Sequence, residues 1–399
     1  MRFFAVLCAA AACVSAQPAR LGGLSPELLT LLQIRQRMLA NLDRQPDYTC
    51  HETIERSRRA GPSRPFEPRD TLRLEVALID GTEMFGWPGE NGFDETDPRD
   101  IVADGAMGNG DFALHARAIF ENASAVFTFR GLSAGLLKYD FRVPRELSRY
   151  QLRVGSQQAF VGYGGSILAD AATLDIQSIE IAADGIPPAL GLSQTLDRME
   201  YATQRIGSGD FLLPASSELI MADRGGGANR NRVVFDGCRE FKGEVSVSFN
   251  PNPSRIAPAA PNPKQIDLPS GMGLTLRLSD NVDTKDAAIG DPVRARLEND
   301  LKRGGYLLFA KGSMVLCRIT RIERLQNYTL LGLEFSEIKT QGAWARLHAS
   351  FERIAGEEFL LPLVRVSAPR PRPGEAIIPV RSGPYRLTHG ILMFWRTGS

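Results

Sequence analysis

Five cysteines and four histidines are the side chains best able to do chemistry in this chain of 399 residues. Cys8 and Cys13 fall in an apolar N-terminal run, which leaves Cys50, Cys238 and Cys317 for the folded protein. Cys317 lies in MVLCRITRIE, where Val315, Cys317 and Ile319 share the inward parity of a strand, and it reads as a small buried apolar residue. Cys50, in PDYTCHETIE, and Cys238, at what reads as the turn of a hairpin over Arg232–Phe249, are then the natural pair for a disulfide. Such a bridge would tie the first strand of a large β unit to its last. Closing so long a loop stabilises a fold by roughly 5 kcal/mol in the chain-entropy model, and by less if the native geometry is strained. The alternative reading is two unrelated thiols.

The histidines give no catalytic or metal pattern. His51-Glu52-Thr53-Ile54-Glu55 opens like a zinc-protease helix, but the second histidine is missing and the stretch alternates as a strand does. His115, His348 and His389 have no ligand spacing, and His115 reads as a satisfied or half-exposed residue of a short helix. Gly162-Tyr163-Gly164-Gly165-Ser166 lacks a phosphate-loop spacing, a following lysine and the nucleophile-elbow spacing, so it reads as a loop. Asp197 and Glu200 stand three apart in a strand pattern and so point to opposite faces. No Ser–His–Asp or Cys–His set can be assembled. The expectation is a protein without catalytic residues, metal or cofactor, and not an enzyme.

Compartment and class follow from composition. Phe3–Val14 is a short apolar run behind Arg2, and Val14-Ser15-Ala16 supplies small residues for cleavage after Ala16, so residues 1–16 read as a signal peptide. Processing at Cys13 with lipid attachment is the rival reading. No later stretch approaches 18 apolar residues, so no transmembrane segment is expected in the mature chain. Export makes disulfides possible. Lysines and arginines number 47 against 46 acids, a net charge of +1; this excludes the concentrated basic field of a nucleic-acid binder. The 38 glycines and 25 prolines fit many turns.

The elements that would position any site are mostly strands. Ser25-Pro26-Glu27 starts a helix, with an N-cap, a proline that needs no amide partner and an acid in the first turn. Leu28, Leu31, Leu32, Ile34, Met38, Leu39 and Leu42 follow at helical spacing until Gln45-Pro46. From Tyr48 to Phe249 the chain alternates as antiparallel strands, interrupted by a second short helix capped by Asp111. Asn250–Lys264 is proline-rich and reads as an extended spacer of up to about 45 Å. Seven or eight short strands over residues 265–399 suggest a small β-barrel or sandwich, with Leu360–Val366 among them and Pro369–Pro373 as a rigid loop. The fold class is therefore mainly β: a curved antiparallel half-barrel with an N-terminal amphipathic helix and a short second helix, then a small barrel.

One cluster points to a ligand. Phe112, Ile119, Phe120, Phe127, Phe129 and Leu136 gather around the second helix, and helices in the mouth of a curved sheet can wall an apolar cavity for lipid or acyl chains. The same cluster is also what a plain core looks like.

Two resemblances bear on this. The order of elements over about residues 25–249 resembles the periplasmic lipoprotein-carrier (LolA-like) family, whose members are open half-barrels lidded by helices. That resemblance implies a hydrophobic cavity that binds acyl chains or a lipidated partner. The YTC and DGCREF stretches are similar to those of exported acidobacterial-type proteins. Residues 265–350 resemble the TrbI-like β-barrel of envelope-spanning secretion systems: an apolar first strand, Gly290-Asp291 before a strand, and Lys311-Gly312-Ser313 as a hairpin. That resemblance implies a structural, assembly role. The expected function is an exported, non-catalytic protein that binds an apolar ligand or a partner protein in the cell envelope. The alternatives are a structural or secretion-system component without ligand, and a hydrolase of an envelope polymer. The sequons at Asn122 and Asn327 are expected to be unused in an apparently bacterial chain.

Overall fold

The computed structural model describes residues 24–89, 93, 112, 114–155, 157–241, 264–325, 328–355, 374–381 and 385–398. The expected signal peptide, the helix cap at Asp111, most of the proline-rich spacer, the Leu360–Val366 strand, the Pro369–Pro373 loop and Asn327 lie outside them.

Helix α1 (Pro26–Arg44) begins as its sequence dictates. Ser25 Oγ accepts the Leu28 amide at 3.2 Å, and proline occupies the first turn. Leu31, Ile34, Met38 and Leu42 form its buried stripe. Strands β1 (Tyr48–Arg59), β2 (Glu67–Ile79) and β3 (Thr82–Gly86) follow, then helix α2 (Leu114–Phe120). Next come β4 (Val126–Ser133), β5 (Leu136–Val143), β6 (Gln151–Val154), β7 (Gln157–Phe160), β8 (Gly162–Asp170) and β9 (Ile176–Asp184). β10 (Leu192–Ile206), β11 (Gly209–Asp223) and β12 (Ala228–Glu240) complete the set.

Ten of these strands make one sheet in the order β3-β2-β1-β12-β11-β10-β9-β8-β5-β4, antiparallel at each step; β6 and β7 form a separate ribbon. The sheet curls, and α1 and α2 lie against its concave face. There the helical stripe, with Ile119 and Phe120, packs on Tyr139, Phe141, Ile167, Ile179 and Met199. A second cluster joins Tyr48, Leu72, Leu74, Val76 and Phe235 around Phe112. The protein is mainly β, as its alternation of apolar residues predicts.

Cys50 and Cys238 are bonded, 188 residues apart in sequence and 4.1 Å apart at Cα. The bridge does join the first strand of the sheet to the last in chain order, but β1 and β12 are neighbours inside it, and its open edges are β3 and β4. The hairpin turn expected at Cys238 is corrected. β12 runs straight through Asp236-Gly237-Cys238, with Gly237 at φ +58° and a slip in the ladder opposite Thr49–His51. A Cβ at Gly237 would sit 2.6 Å from the His51 ring, so glycine here serves a β-bulge, not a turn. Residues 242–249, the expected second arm, lie outside the described residues. The loop expected at Gly162–Ser166 is corrected likewise: these residues are the first half of β8. A Cβ on Gly165 would overlap the Glu180 carbonyl oxygen of β9, so the glycines allow close strand approach.

The remaining strands are β13 (Lys264–Gln265), β14 (Gly273–Leu278), β15 (Val282–Asp283), β16 (Pro292–Leu297), β17 (Leu301–Arg303), β18 (Tyr306–Phe309), β19 (Met314–Arg324), β20 (Tyr328–Lys339) and β21 (Ala343–Arg346), then β22 (Ala349–Ile354), β23 (Glu375–Arg381), β24 (Arg386–Leu387) and β25 (Leu392–Thr397). Nine of them form a second sheet, ordered β13-β21-β20-β19-β16-β14-β25-β22, with β23 paired to β20. It wraps one core that includes Leu276, Val293, Cys317, Leu333 and Trp395, and the Phe335 and Trp395 rings meet edge to face at 4.8 Å. Cys317 is buried on the parity its sequence predicts, and burial holds its thiol pKa far above the ordinary value.

The two sheets touch. β3 covers β2 only from Glu75 to Ile79, and Ile289 takes up the free edge next to it. The Arg73 amide donates to Ile289 O at 2.8 Å, and the Ile289 amide donates to Thr71 O at 2.8 Å. Arg73 also meets the Asp291 carboxylate at 2.7 Å. Gly290, at φ +99°, has no room for a Cβ against the Arg73 carbonyl.

Candidate functional site

Of the six residues expected to wall an apolar cavity, three are core. Ile119 and Phe120 are fully buried beneath α1. Phe112 is also buried, but in the other cluster, with its ring 5.0 Å from Tyr48 and 5.3 Å from Phe235. Leu136 alternates with Tyr139 along β5 and so lies on the opposite face of the sheet. Only Phe127 and Phe129 remain at an opening.

That opening is built at the β4 end of the concave face. β4 carries a slip between Phe129 and Gly131, which keeps Phe127, Phe129 and Leu132 opposite Phe141, Tyr139 and Leu137 and hence all on the concave side. The Phe129 and Tyr139 rings are 5.1 Å apart, and those of Phe127 and Phe141 are 6.1 Å apart. Phe129 is 36% exposed and Leu132 61% exposed, so this margin of the concave face is uncovered.

α1 forms the facing wall. Tyr139 donates its hydroxyl to Glu27 O at 2.8 Å, which sets the first turn of α1 against β5. Burial raises the Tyr139 hydroxyl pKa above its ordinary value. Arg35 Nε donates to Phe120 O at 2.7 Å, so one flank of α1 faces α2; at 100° per residue Leu28, Leu32 and Leu39 share that flank. The other flank is polar and pinned to the sheet. Arg37 pairs with Asp175, and the Asn41 amide both donates to and accepts from the Leu212 backbone, at 2.8 and 2.9 Å. Leu24, Leu28, Leu29 and Leu32 are each between 40% and 54% exposed. Exposed apolar side chains of the amino half of α1 and of strand β4, an edge of the described sheet, therefore stand on either side of Tyr139 as an apolar strip.

A second opening lies beside α2, about 720 Å³ in volume, with His115, Arg149, Tyr150 and Tyr163 in its wall. His115 Nε2 stands 3.4 Å from Asp197 Oδ2, and both groups are buried. Asp197 thereby fixes α2 to β10. His115 is satisfied, as its sequence context suggested, but its partner lies 82 positions away and no local signal connects them. Asp197 and Glu200 do face opposite ways, the first buried and the second exposed. His51 stands on β1, 3.7 Å from a Glu75 oxygen. Among the described residues no group of three or more histidine, cysteine or acidic side chains is placed to hold a metal. No described helix is long and apolar enough to cross a membrane.

No protein-family model matches the chain, and no curated protein matches it. Among solved structures, a LolA superfamily protein of Nitrosomonas europaea aligns over 52% of this chain and 94% of its own, at 10% identity and a TM-score of 0.23.

Proposed function

We propose that this chain is an exported, non-catalytic binding protein of the cell envelope, and that the strip between α1 and β4 takes an acyl chain, free or carried by a lipidated partner. The observation that carries the reading is the strip itself. Leu28, Leu32, Phe129 and Leu132 stay in water beside the buried core of the concave face. Covering one such side chain fully is worth roughly 1.5–3 kcal/mol, so a few of them covered together suffice for a reversible complex. The Cys50–Cys238 bridge supports an oxidising compartment. The test is titration of the full chain with a fluorescent polyunsaturated fatty acid. Saturable emission is expected, weakened at least tenfold by Leu28→Asp or Leu132→Asp at unchanged thermal midpoint. Absence of uptake by the unaltered chain would remove the reading.

One observation favours a second reading, a structural component without ligand. The interior of the half-barrel is filled by its own side chains, with Ile34, Ile119, Phe120, Ile167, Ile179 and Met199 wholly buried. Under this reading, native mass spectrometry of gently extracted protein releases no lipid, and the α1 leucines tolerate polar replacement without loss of function.

A further inference from the structure

Of the three tryptophans, Trp395 is buried in the core of the second sheet, whereas Trp87 and Trp344 both line a cleft of about 690 Å³ where the two sheets meet. The cleft exists because of the docking at Gly290. Trp87 follows β3, and its ring packs where a Cβ of Gly290 would lie, at 2.9 Å. The Arg318 guanidinium stacks on Trp87 at 4.3 Å and pairs with Glu334 at 3.0 Å, which makes that wall rigid.

The opposite wall is β21 and the residues after it. Ala345, Leu347 and Ala349 point into the core, so Trp344, Arg346 and His348 share the outward parity and stand in a row above the cleft. Lys339 is the cross-strand neighbour of Trp344, and Glu337 that of Arg346. Neither Arg346 nor His348 has a side-chain partner among the described residues, and Lys339 has only a loose contact of 3.8 Å with Glu337.

We infer that this cleft between the sheets binds an acidic oligosaccharide. Each part of the wall asks for a different part of such a ligand. The half-exposed indole of Trp344 offers a flat apolar face to the C–H side of a sugar ring. Arg346, which has no side-chain partner among the described residues, and Lys339, held only loosely by Glu337, can meet a carboxylate or sulfate on the sugar, and a guanidinium suits a planar carboxylate with two parallel donors. Glu334 and Glu337 accept hydrogen bonds from sugar hydroxyls. A merely solvated charged face would not gather both non-core tryptophans of the chain at one seam. This inference is independent of the apolar strip, which lies at the far edge of the first sheet from β3.

The test uses the full chain and isothermal titration, with tryptophan emission as a second readout. Because Trp395 is buried, quenching reports on Trp87 and Trp344. Oligogalacturonate and heparin-derived hexasaccharides are the acidic probes; maltohexaose, inorganic phosphate and hexaglutamate are the comparisons. The expected result is saturable binding of an acidic hexasaccharide that quenches emission, weakens with salt, and falls at least tenfold in Trp344→Ala and in the exposed variant Arg346→Gln. Fatty-acid uptake stays unchanged in both variants. Failure of both acidic probes would overturn the inference, and so would equal binding of maltohexaose, phosphate or hexaglutamate, or undiminished binding by Arg346→Gln.

Discussion

Arg56 and Asp70 make a buried ion pair of the first sheet. They face each other across β1 and β2, with Nε–Oδ1 at 2.6 Å and a second contact between Arg56 Nη2 and Asp70 Oδ2. Both side chains are buried. Removing one partner from such a pair strands the other charge away from water, which costs about 3–5 kcal/mol, whereas replacing both with apolar groups of similar volume is often neutral. Arg56→Met leaves the buried Asp70 carboxylate without the guanidinium and should therefore lower stability by that amount in urea denaturation, and adding Asp70→Leu should recover most of it. An Arg56→Met variant as stable as the parent would contradict the assignment. At this scale the cysteines were legible in the sequence. Cys317 declared its burial by parity, and elimination left Cys50 with Cys238. The Arg56–Asp70 and His115–Asp197 pairs were not, because strand register and helix placement bring the partners together and neither leaves a mark at the residues themselves. Leu136 was misplaced for a related reason: an apolar residue next to the β4–β5 turn shows its side of the sheet only once the register is known.

Among elements, the disulfide has the largest predicted effect. It crosses the seam where the chain's first and last strands of the sheet meet, at a separation of 188 residues. Losing it should destabilise by up to roughly 5 kcal/mol in the chain-entropy model. Cys50→Ser with Cys238→Ser should unfold at clearly lower urea and keep its strand signal in circular dichroism. Denatured but unreduced protein freed of its first 16 residues should titrate one thiol, that of Cys317; three thiols would show that the bridge does not form. Strand existence was readable from period-two alternation nearly everywhere. Two of the failures fell at glycine. In β8 and at Gly237 it serves close backbone approach, and a residue without a side chain gives no parity signal to separate that use from a turn.

For the whole molecule, the sequence suggested two β units, and the contact between the two large sheets left no signal in it. In the sequence Gly290-Asp291 reads only as the pair before a strand, here β16. Its larger use is to let Ile289 reach the free edge of β2 while Asp291 holds Arg73. Both candidate sites follow from how the elements are assembled. The apolar strip is the part of the concave face that two helices leave uncovered, and the tryptophan cleft is the seam between the sheets. The central claim, that the strip between α1 and β4 holds an acyl chain, is tested most directly by irradiating the full chain with a diazirine-bearing palmitate and mapping the labelled peptides by mass spectrometry. The account predicts label on peptides spanning Leu24–Leu32 and Phe127–Leu137, displaced by unlabelled palmitate. Label spread over the second sheet, or none that palmitate displaces, would contradict it.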